Sequence, residues 1–388
     1  MKRMGKHCLI FLLMLCILMV PLPAVQAEAL EEMPFDVSAK SALLMDADSG
    51  TIIFEKAADE KLPIASVTKI MTLSLCFEAL ESGAITLDQE ITVSQNAASM
   101  GGSQVFLDAG QPYKVENLLE SIIVASANDA SVAMAETIAG SEEVFVERMN
   151  TKAAELGMTG THFANCTGLP HDDHYSTARD VAAMSQELIK HPDYFKWSTI
   201  WMDELSHAKD GRVTELTNTN RMVRFYDGAD GIKTGSTDEA KYCLSVSAKR
   251  GEFRLIGVLL GSESSAKRFD EATKMLDYGF ANYETVGLGQ SGEIKNQSVA
   301  VKGGKDAQVP VALEGGETAL LRKGTADQVE KTVNLPEIVE APIVKGAKLG
   351  EMIITHDGET LANLPIVAAA DVPKAGYGDI LKKILSRW

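Results

Sequence analysis

Cysteine is scarce in this chain: five in 388 residues, two of which, Cys8 and Cys16, fall in an N-terminal apolar stretch. The other three, Cys76, Cys166 and Cys243, are odd in number and include no C-x-x-C pair. That argues against a disulfide framework or a thiolate zinc site. Cys76 and Cys243 lie in apolar runs and read as small buried hydrophobes, whereas Cys166, in the polar stretch Asn165-Cys166-Thr167-Gly168, reads as accessible. Positive charge is also short. With 37 basic against 54 acidic residues, a net charge of −17 and no basic block, the chain is not built to neutralise phosphates, so no nucleic-acid partner is expected. Repeats of fixed period are missing too, which argues against a solenoid. A hydrophobic content of 45% with 23% charged residues argues against disorder.

Long apolar runs are absent as well. The 13 residues from Cys8 to Val20 fall short of the roughly 20 that cross a bilayer. They follow Lys2, Arg3 and Lys6 and precede Pro21, Pro23 and the small residues of Val25-Gln26-Ala27, the pattern of a secretory signal over residues 1–27. Cleavage after Ala29 is the alternative, and the bulky Leu15 before Cys16 argues against a lipoprotein site. Losing the signal removes three positive charges and no negative ones, so the net charge moves from −17 to −20.

From about residue 35 to 282, strand-like and helix-like segments alternate. Residues 41–45 and 51–54 flank a turn at Asp46-Ala47-Asp48-Ser49-Gly50, and residues 242–248 and 254–260 form a second hairpin. Residues 70–80 are apolar on nearly every face, so they predict a buried helix. Further helices are predicted over 115–125, 130–139, 142–156 and 178–190, with Asp180 as a cap at the last start. Helices inserted between strand pairs predict an α+β or α/β layered fold. Beyond residue 283 short apolar runs alternate with Gly-rich turns up to about 372, the pattern of a small all-β domain. The final segment, DILKKILSRW, returns to helical period. These changes divide the chain into a signal (1–27), a mixed region of helices and strands (28–282), a β-rich region (283–376) and a terminal amphipathic helix (377–388).

Three short motifs carry chemistry. Ser66-Val67-Thr68-Lys69 puts a hydroxyl and an amine one helical turn apart at the head of the buried helix. A serine needs a base to become a nucleophile, and a lysine serves only if its pKa falls from about 10.4 towards 7–8. The same spacing recurs at Ser206–Lys209 and Ser264–Lys267, without a buried helix behind it. Ser126-Ala127-Asn128 sits at a corner between two helical runs, where both polar side chains can face a cleft or Ser126 can cap a helix; Ser94-Gln95-Asn96 is a chance match. Lys233-Thr234-Gly235 occurs once. It offers a fixed cation, a hydroxyl and a glycine that admits close backbone approach, or else an edge-strand lysine that guards a sheet.

Taken together and in this order, the three motifs resemble those of the penicillin-binding proteins and serine β-lactamases. The supporting stretches PIAS (63–66), LESIIVASANDA (119–130), YSTARD (175–180) and DGIKTG (230–235) are similar to the low-molecular-weight D-alanyl-D-alanine carboxypeptidases, which include the sporulation-associated type of Gram-positive bacteria. The resemblance implies a β-lactamase/transpeptidase-like α+β domain, followed by a small all-β domain and a terminal amphipathic helix. It implies Ser66 as the acylated nucleophile, Lys69 as its base and Ser126 as the proton relay to the leaving amine. Asn128 would hold the substrate amide, Lys233 and Thr234 the terminal carboxylate, and Arg268 would assist them. The backbone N–H groups of Ser66 and Ser236, beside Gly235, would form the oxyanion hole. The implied partners are a peptidoglycan pentapeptide stem, β-lactams as covalent inhibitors, and the outer face of the membrane through the last helix.

No cofactor or metal is expected. His171-Asp172-Asp173-His174 has metal-like composition but reads as a solvated loop. A β-lactamase, a transpeptidase or endopeptidase with the same residues, and a non-enzymatic wall-binding protein are the rival readings. The first would add an E-x-x-L-N segment that is missing here.

Overall fold

The structure, a computed structural model, describes residues 34–289, 294 and 297–385. The expected signal over residues 1–27 and the end of the terminal helix at 386–388 lie outside them.

The first strands, β1 (Ser41–Asp46) and β2 (Ile52–Lys56), form the expected hairpin. The chain then builds five main helices: α1 (Lys69–Glu81), α2 (Val115–Val124), α3 (Asn128–Ala139), α4 (Glu142–Glu155) and α5 (Ala178–Leu188). An exposed hairpin follows, β3 (Met202–Ser206) with β4 (Val213–Thr217). Then come β5 (Ala229–Thr237), β6 (Lys241–Arg250), β7 (Phe253–Ser262) and helix α6 (Ser265–Asn282). The sheet order is β2-β1-β7-β6-β5, antiparallel throughout, which leaves β5 as an edge.

Both faces of this sheet are covered, so its central strands are apolar at successive positions. Along β1, Leu43 and Met45 point into the core shared with α1–α5, while Ala42 and Leu44 point into a second core under α6. Helix α1 runs through the first core with Lys69 to Phe77 entirely buried, which is why no polar face shows in its sequence. At the start of α5, Thr177 is the cap, accepting the Asp180 N–H at 3.1 Å. The Asp180 carboxylate serves elsewhere: it accepts from Gly160 N–H and the Thr161 hydroxyl.

Helix α6 ends at Asn282 and an all-β region begins at Tyr283. Here β8 (Tyr283–Leu288), β9 (Ser298–Lys302), β10 (Gln308–Leu313), β11 (Glu317–Arg322), β12 (Glu330–Asn334), β13 (Ile338–Glu340), β14 (Lys348–His356) and β15 (Glu359–Ala368) make two sheets. β8 pairs with β11, and the other six are ordered β12-β14-β15-β10-β9-β13 around a separate apolar core. The last described element is the short helix α7 (Tyr377–Leu385).

Candidate active site

Ser66 sits in a single 3-10 turn, residues 65–68, that leads directly into α1. One turn on, the Lys69 ammonium is wholly buried; it donates to Ser66 Oγ at 3.0 Å and to the Thr167 carbonyl at 2.7 Å. Burial disfavours the charged amine and brings its pKa down to about 7, against a weaker opposing pull from Cys166 and Asp129. The spacing alone predicted a shift of this size as the condition for Lys69 to act as a base.

The Thr167 carbonyl is held in place by a polar turn. Asn165 Oδ1 accepts from the N–H groups of Thr167 and Gly168, and Gly168 has φ +83°. A Cβ at Gly168 would lie 1.9 Å from the Ala65 carbonyl oxygen, so this loop lies directly against the nucleophile turn. That contact corrects the reading of Cys166, which is fully buried and not accessible. Its carbonyl accepts from Thr72 of α1 and its N–H donates to Glu142. The polar composition of the loop serves to grip α1 and cover Lys69.

A second correction concerns the 171–174 segment. His171, Asp172 and Asp173 are exposed, but His174 is buried. Its Nδ1 accepts from Ala164 N–H, which leaves Nε2–H to donate to Thr68 Oγ1 at 2.7 Å. Burial pushes its pKa down to about 4, so the ring stays neutral and its donor role is fixed. His174 thus steadies the residue between Ser66 and Lys69, a role nothing in its sequence neighbourhood signalled.

Ser126 occupies a positive φ of 63° just ahead of α3, and its buried Oγ has no hydrogen-bond partner among the described residues. The residue capping α3 is Ala127, so Ser126 is not a helix cap. Asn128 donates Nδ2 to the Gly101 carbonyl at 2.7 Å, while its buried Oδ1 is unpartnered. That oxygen has no partner among the described residues and is open to a ligand's N–H.

Strand β5 supplies the opposite wall. Lys233 is buried although it lies on an edge strand, so it is no solvent-facing guard. Its Nζ donates to the Thr234 carbonyl at 3.2 Å. Burial, then Lys69 and Arg268, hold its pKa well below the ordinary lysine range. Thr234 Oγ1 donates to the Thr219 hydroxyl at 2.8 Å, a partner the sequence did not announce. Gly235 faces the protein's own backbone: a Cβ there would lie 2.7 Å from the Ile64 carbonyl and 2.9 Å from Ser66 N. Its small size therefore seats β5 against the nucleophile turn, where the sequence reading had it admit a substrate backbone. Ser236, next along, is exposed and pairs with Tyr242 of β6. Arg268 of α6 donates Nη1 to the carbonyls of Gly235 and Cys243, at 3.1 and 3.0 Å. It ties the end of β5 down, with no partner for Nε among the described residues; burial lowers its pKa to about 10.

The chance matches fall elsewhere. Ser206 is on the exposed β3–β4 hairpin, Ser264 caps α6, and Ser94 caps a one-turn helix at residues 95–98.

Residues 26–264 match the family profile of D-alanyl-D-alanine carboxypeptidases, which covers more than half the chain. The chain belongs to this family. Residues 283–374 match the C-terminal domain of penicillin-binding protein 5. The D-alanyl-D-alanine carboxypeptidase DacF of Bacillus subtilis is 44% identical over 354 residues, 90% of each chain. DacC of Escherichia coli is 32% identical over 91% of this chain and 89% of its own. Penicillin-binding protein 5 of Haemophilus influenzae superposes with a TM-score of 0.77 at 30% identity, covering 89% of this chain and all of that one. As a family member the chain is a serine-type D-Ala-D-Ala carboxypeptidase, an α+β enzyme of the cell wall that acts on peptidoglycan and binds β-lactams. The β-lactamase, transpeptidase and non-enzymatic readings are not favoured.

Proposed function

We propose that Ser66 is the residue acylated by the penultimate D-alanine of the stem peptide, with Lys69 as its base. The observation that carries this reading is the buried Lys69 amine, 3.0 Å from Ser66 Oγ with its pKa near 7. The neutral amine takes the hydroxyl proton as Oγ attacks the carbonyl carbon. The resulting oxyanion is met by the N–H groups of Ser66 and Ser236, donors worth about 3–4 kcal/mol each in other enzymes. Ser126, whose Oγ is unpartnered, passes the proton to the departing D-alanine amine, and the acyl-enzyme ester forms as the C–N bond breaks. Water then hydrolyses the ester, with Lys69 again as base. Asn128 Oδ1 accepts from the substrate amide N–H.

The substrate's terminal carboxylate goes to Lys233 and Thr234. The charged groups that act on Lys233 are Lys69 and Arg268, both of which lower its proton affinity, and a substrate carboxylate beside it would raise that affinity. Arg268 adds positive potential and holds the β5 backbone. The division into a catalytic region over 28–282 and a β-rich region over 283–376 belongs to the same reading.

The test is covalent. After exposure to penicillin, mass spectrometry should place the adduct on the peptide containing Ser66, and the protein should release D-alanine from a pentapeptide ending in D-Ala-D-Ala. An adduct on Ser206 or Ser264 rules the assignment out.

The same reading places the enzyme outside the cytoplasmic membrane, after export by the 1–27 signal, with α7 lying on the membrane surface. Among the described residues no helix is long and apolar enough to cross a bilayer. Ile380, Leu381 and Leu385 of α7 are 49%, 59% and 67% exposed, which supports a helix seated in an interface over one packed on the β-rich region. Deleting residues 377–388 should release the protein from membrane fractions and leave penicillin binding intact. A truncated protein that still sediments with membranes places the anchor elsewhere.

A further inference from the structure

Residues 101–108 run between the wall that carries Asn128 and the β3–β4 hairpin, and their backbone is gripped from both sides. Asn128 holds the first part. Its N–H donates to the Ser103 carbonyl and its Nδ2 to the Gly101 carbonyl, both at 2.7 Å. The neighbouring Asp129 carboxylate accepts from Val105 N–H and Leu107 N–H, at 3.1 and 3.0 Å. A Cβ at Gly102 would lie 2.8 Å from Asn128 Nδ2. The segment packs this closely on the amide, so a shift of one displaces the other.

The hairpin holds the second part. Alternation along its strands turns Leu205, Thr214 and Leu216 inward and leaves Ser206 and Val213 exposed. Leu205 and Leu216 join the first core. His207, just past β3, is equally buried but closes a polar circuit. Asp108 N–H donates to the Tyr113 hydroxyl at 3.3 Å, and that hydroxyl donates to His207 Nδ1 at 2.8 Å. His207 Nε2–H donates to Thr214 Oγ1 at 2.8 Å, and Thr214 donates to the Val105 carbonyl at 3.3 Å. Each hydroxyl accepts once and donates once, which requires a neutral ring with its proton on Nε2. Burial and then the Arg212 guanidinium depress the His207 pKa, against the pull of Asp108, Asp210 and Asp129. Arg212 Nη2 adds a direct grip on the Phe106 carbonyl and the Asp108 carboxylate, both at 3.0 Å. A directional circuit of this kind specifies one position of the segment, where apolar packing would allow several.

We propose that His207 is a positioning residue for the reaction. With Tyr113 and Thr214 it makes the hairpin a strap over residues 105–108, and the strap sets the Asn128 amide where the substrate N–H must meet it. The proposal rests on the reading above in which Asn128 Oδ1 accepts from the substrate amide.

The experiment breaks the circuit one oxygen at a time in the full chain. It reads kcat/KM for D-alanine release from a pentapeptide and the rate of acylation by a fluorescent penicillin. Tyr113→Phe and Thr214→Val keep the shape of the side chain and should each lower both rates about two- to tenfold, the worth of one hydrogen bond. Thr214→Ser keeps the hydroxyl and should restore both rates to within about twofold of native. Asn128→Ala should lower them further than either. In the Asn128→Ala background, Tyr113→Phe and Thr214→Val should cost nothing more, because residues that act by one route are not additive. Native rates in Tyr113→Phe and Thr214→Val, or losses that multiply with that of Asn128→Ala, overturn the positioning role and leave the Asn128 contact standing. Native rates in Asn128→Ala overturn the Asn128 reading and this proposal together, while the penicillin adduct on Ser66 still decides the nucleophile.

Discussion

The catalytic and β-rich regions bury very different things. Among the described residues, every buried polar or charged side chain lies between Ser41 and Glu271, including Lys69, Lys233 and Arg268; the core of the region after 283 is apolar. The backbone differs in the same direction. Ala65 and Ser126, flanking the site, adopt positive φ without being glycine, whereas in the β-rich region the one such described residue, Asp357, lies in the turn between β14 and β15. A buried lysine with a lowered pKa and a serine held at positive φ lower stability, and they sit together with the proposed catalytic groups. The first region is a compromise between folding and chemistry; the second is optimised for folding alone.

The largest effect should come from removing the central compromise. Lys69→Met should slow acylation by penicillin by about 10²–10⁴-fold, the contribution of a general base. It should also raise stability. A lysine whose pKa drops from 10.5 to about 7 on folding is destabilising by about 4–5 kcal/mol at low pH. The unfolded chain binds the extra proton between pH 7 and 10.5, so the penalty is full below pH 7 and is relieved as pH rises through that window. Native acylation should rise with pH through about 7, and so should stability. In Lys69→Met the contribution of this group to both slopes should vanish, as read by acylation kinetics and denaturant unfolding at pH 6, 8 and 9. A variant that loses activity without gaining stability would mean that Lys69 is not held at a cost.

Next in size is Gly235→Ala. The new methyl meets the backbone of Ile64, Ser66 and Val67 at 2.7–3.0 Å, and none of these atoms belongs to a flexible side chain. The strand must move away from the nucleophile turn, at about 1–3 kcal/mol, which in rate is about five- to 150-fold. The loss should appear in kcat, with Ser66 still in place. His174→Ala should follow at about tenfold, because Thr68 Oγ1 and Ala164 N–H lose their buried partner. Since its pKa is near 4, no inflection of the native rate profile near pH 6.5 should belong to His174.

These two residues also mark where the sequence was legible and where it was not. Local pattern foretold α1, because an all-apolar helix has few places to go but the core, and the β1–β2 and β6–β7 hairpins, because turn residues sit between apolar runs. The three motifs were legible as a candidate site because each holds its residues within three or four positions. What stayed hidden was contact between distant segments. Gly168 and Gly235 both converge on the Ser66 turn from far along the chain; Lys69 reaches the Thr167 carbonyl across 98 residues, and Arg268 reaches Gly235 across 33. His171 and His174 have the same local composition, and only the fold decides that one is solvated and the other buried. Cys166 was misread for the same reason, since a polar loop that packs on a helix looks like one that faces water.

The smallest effect sharpens the comparison from the other side. Ile354 in β14 is fully buried among the apolar residues of the β-rich region's own core, and its partner on β15 is Ala362. Ile354→Val removes one methylene and should lower stability by about 0.5–1.5 kcal/mol. Its core contains none of the proposed site residues, so kcat, KM and penicillin acylation should match the native enzyme. Unfolding of the β-rich region, followed by hydrogen exchange, should report the loss. If the region is optimised for folding alone, stability falls and chemistry does not. A fall in kcat from this one methylene would show that β14 and the region around it help to hold the site, and the division of labour drawn above would fail.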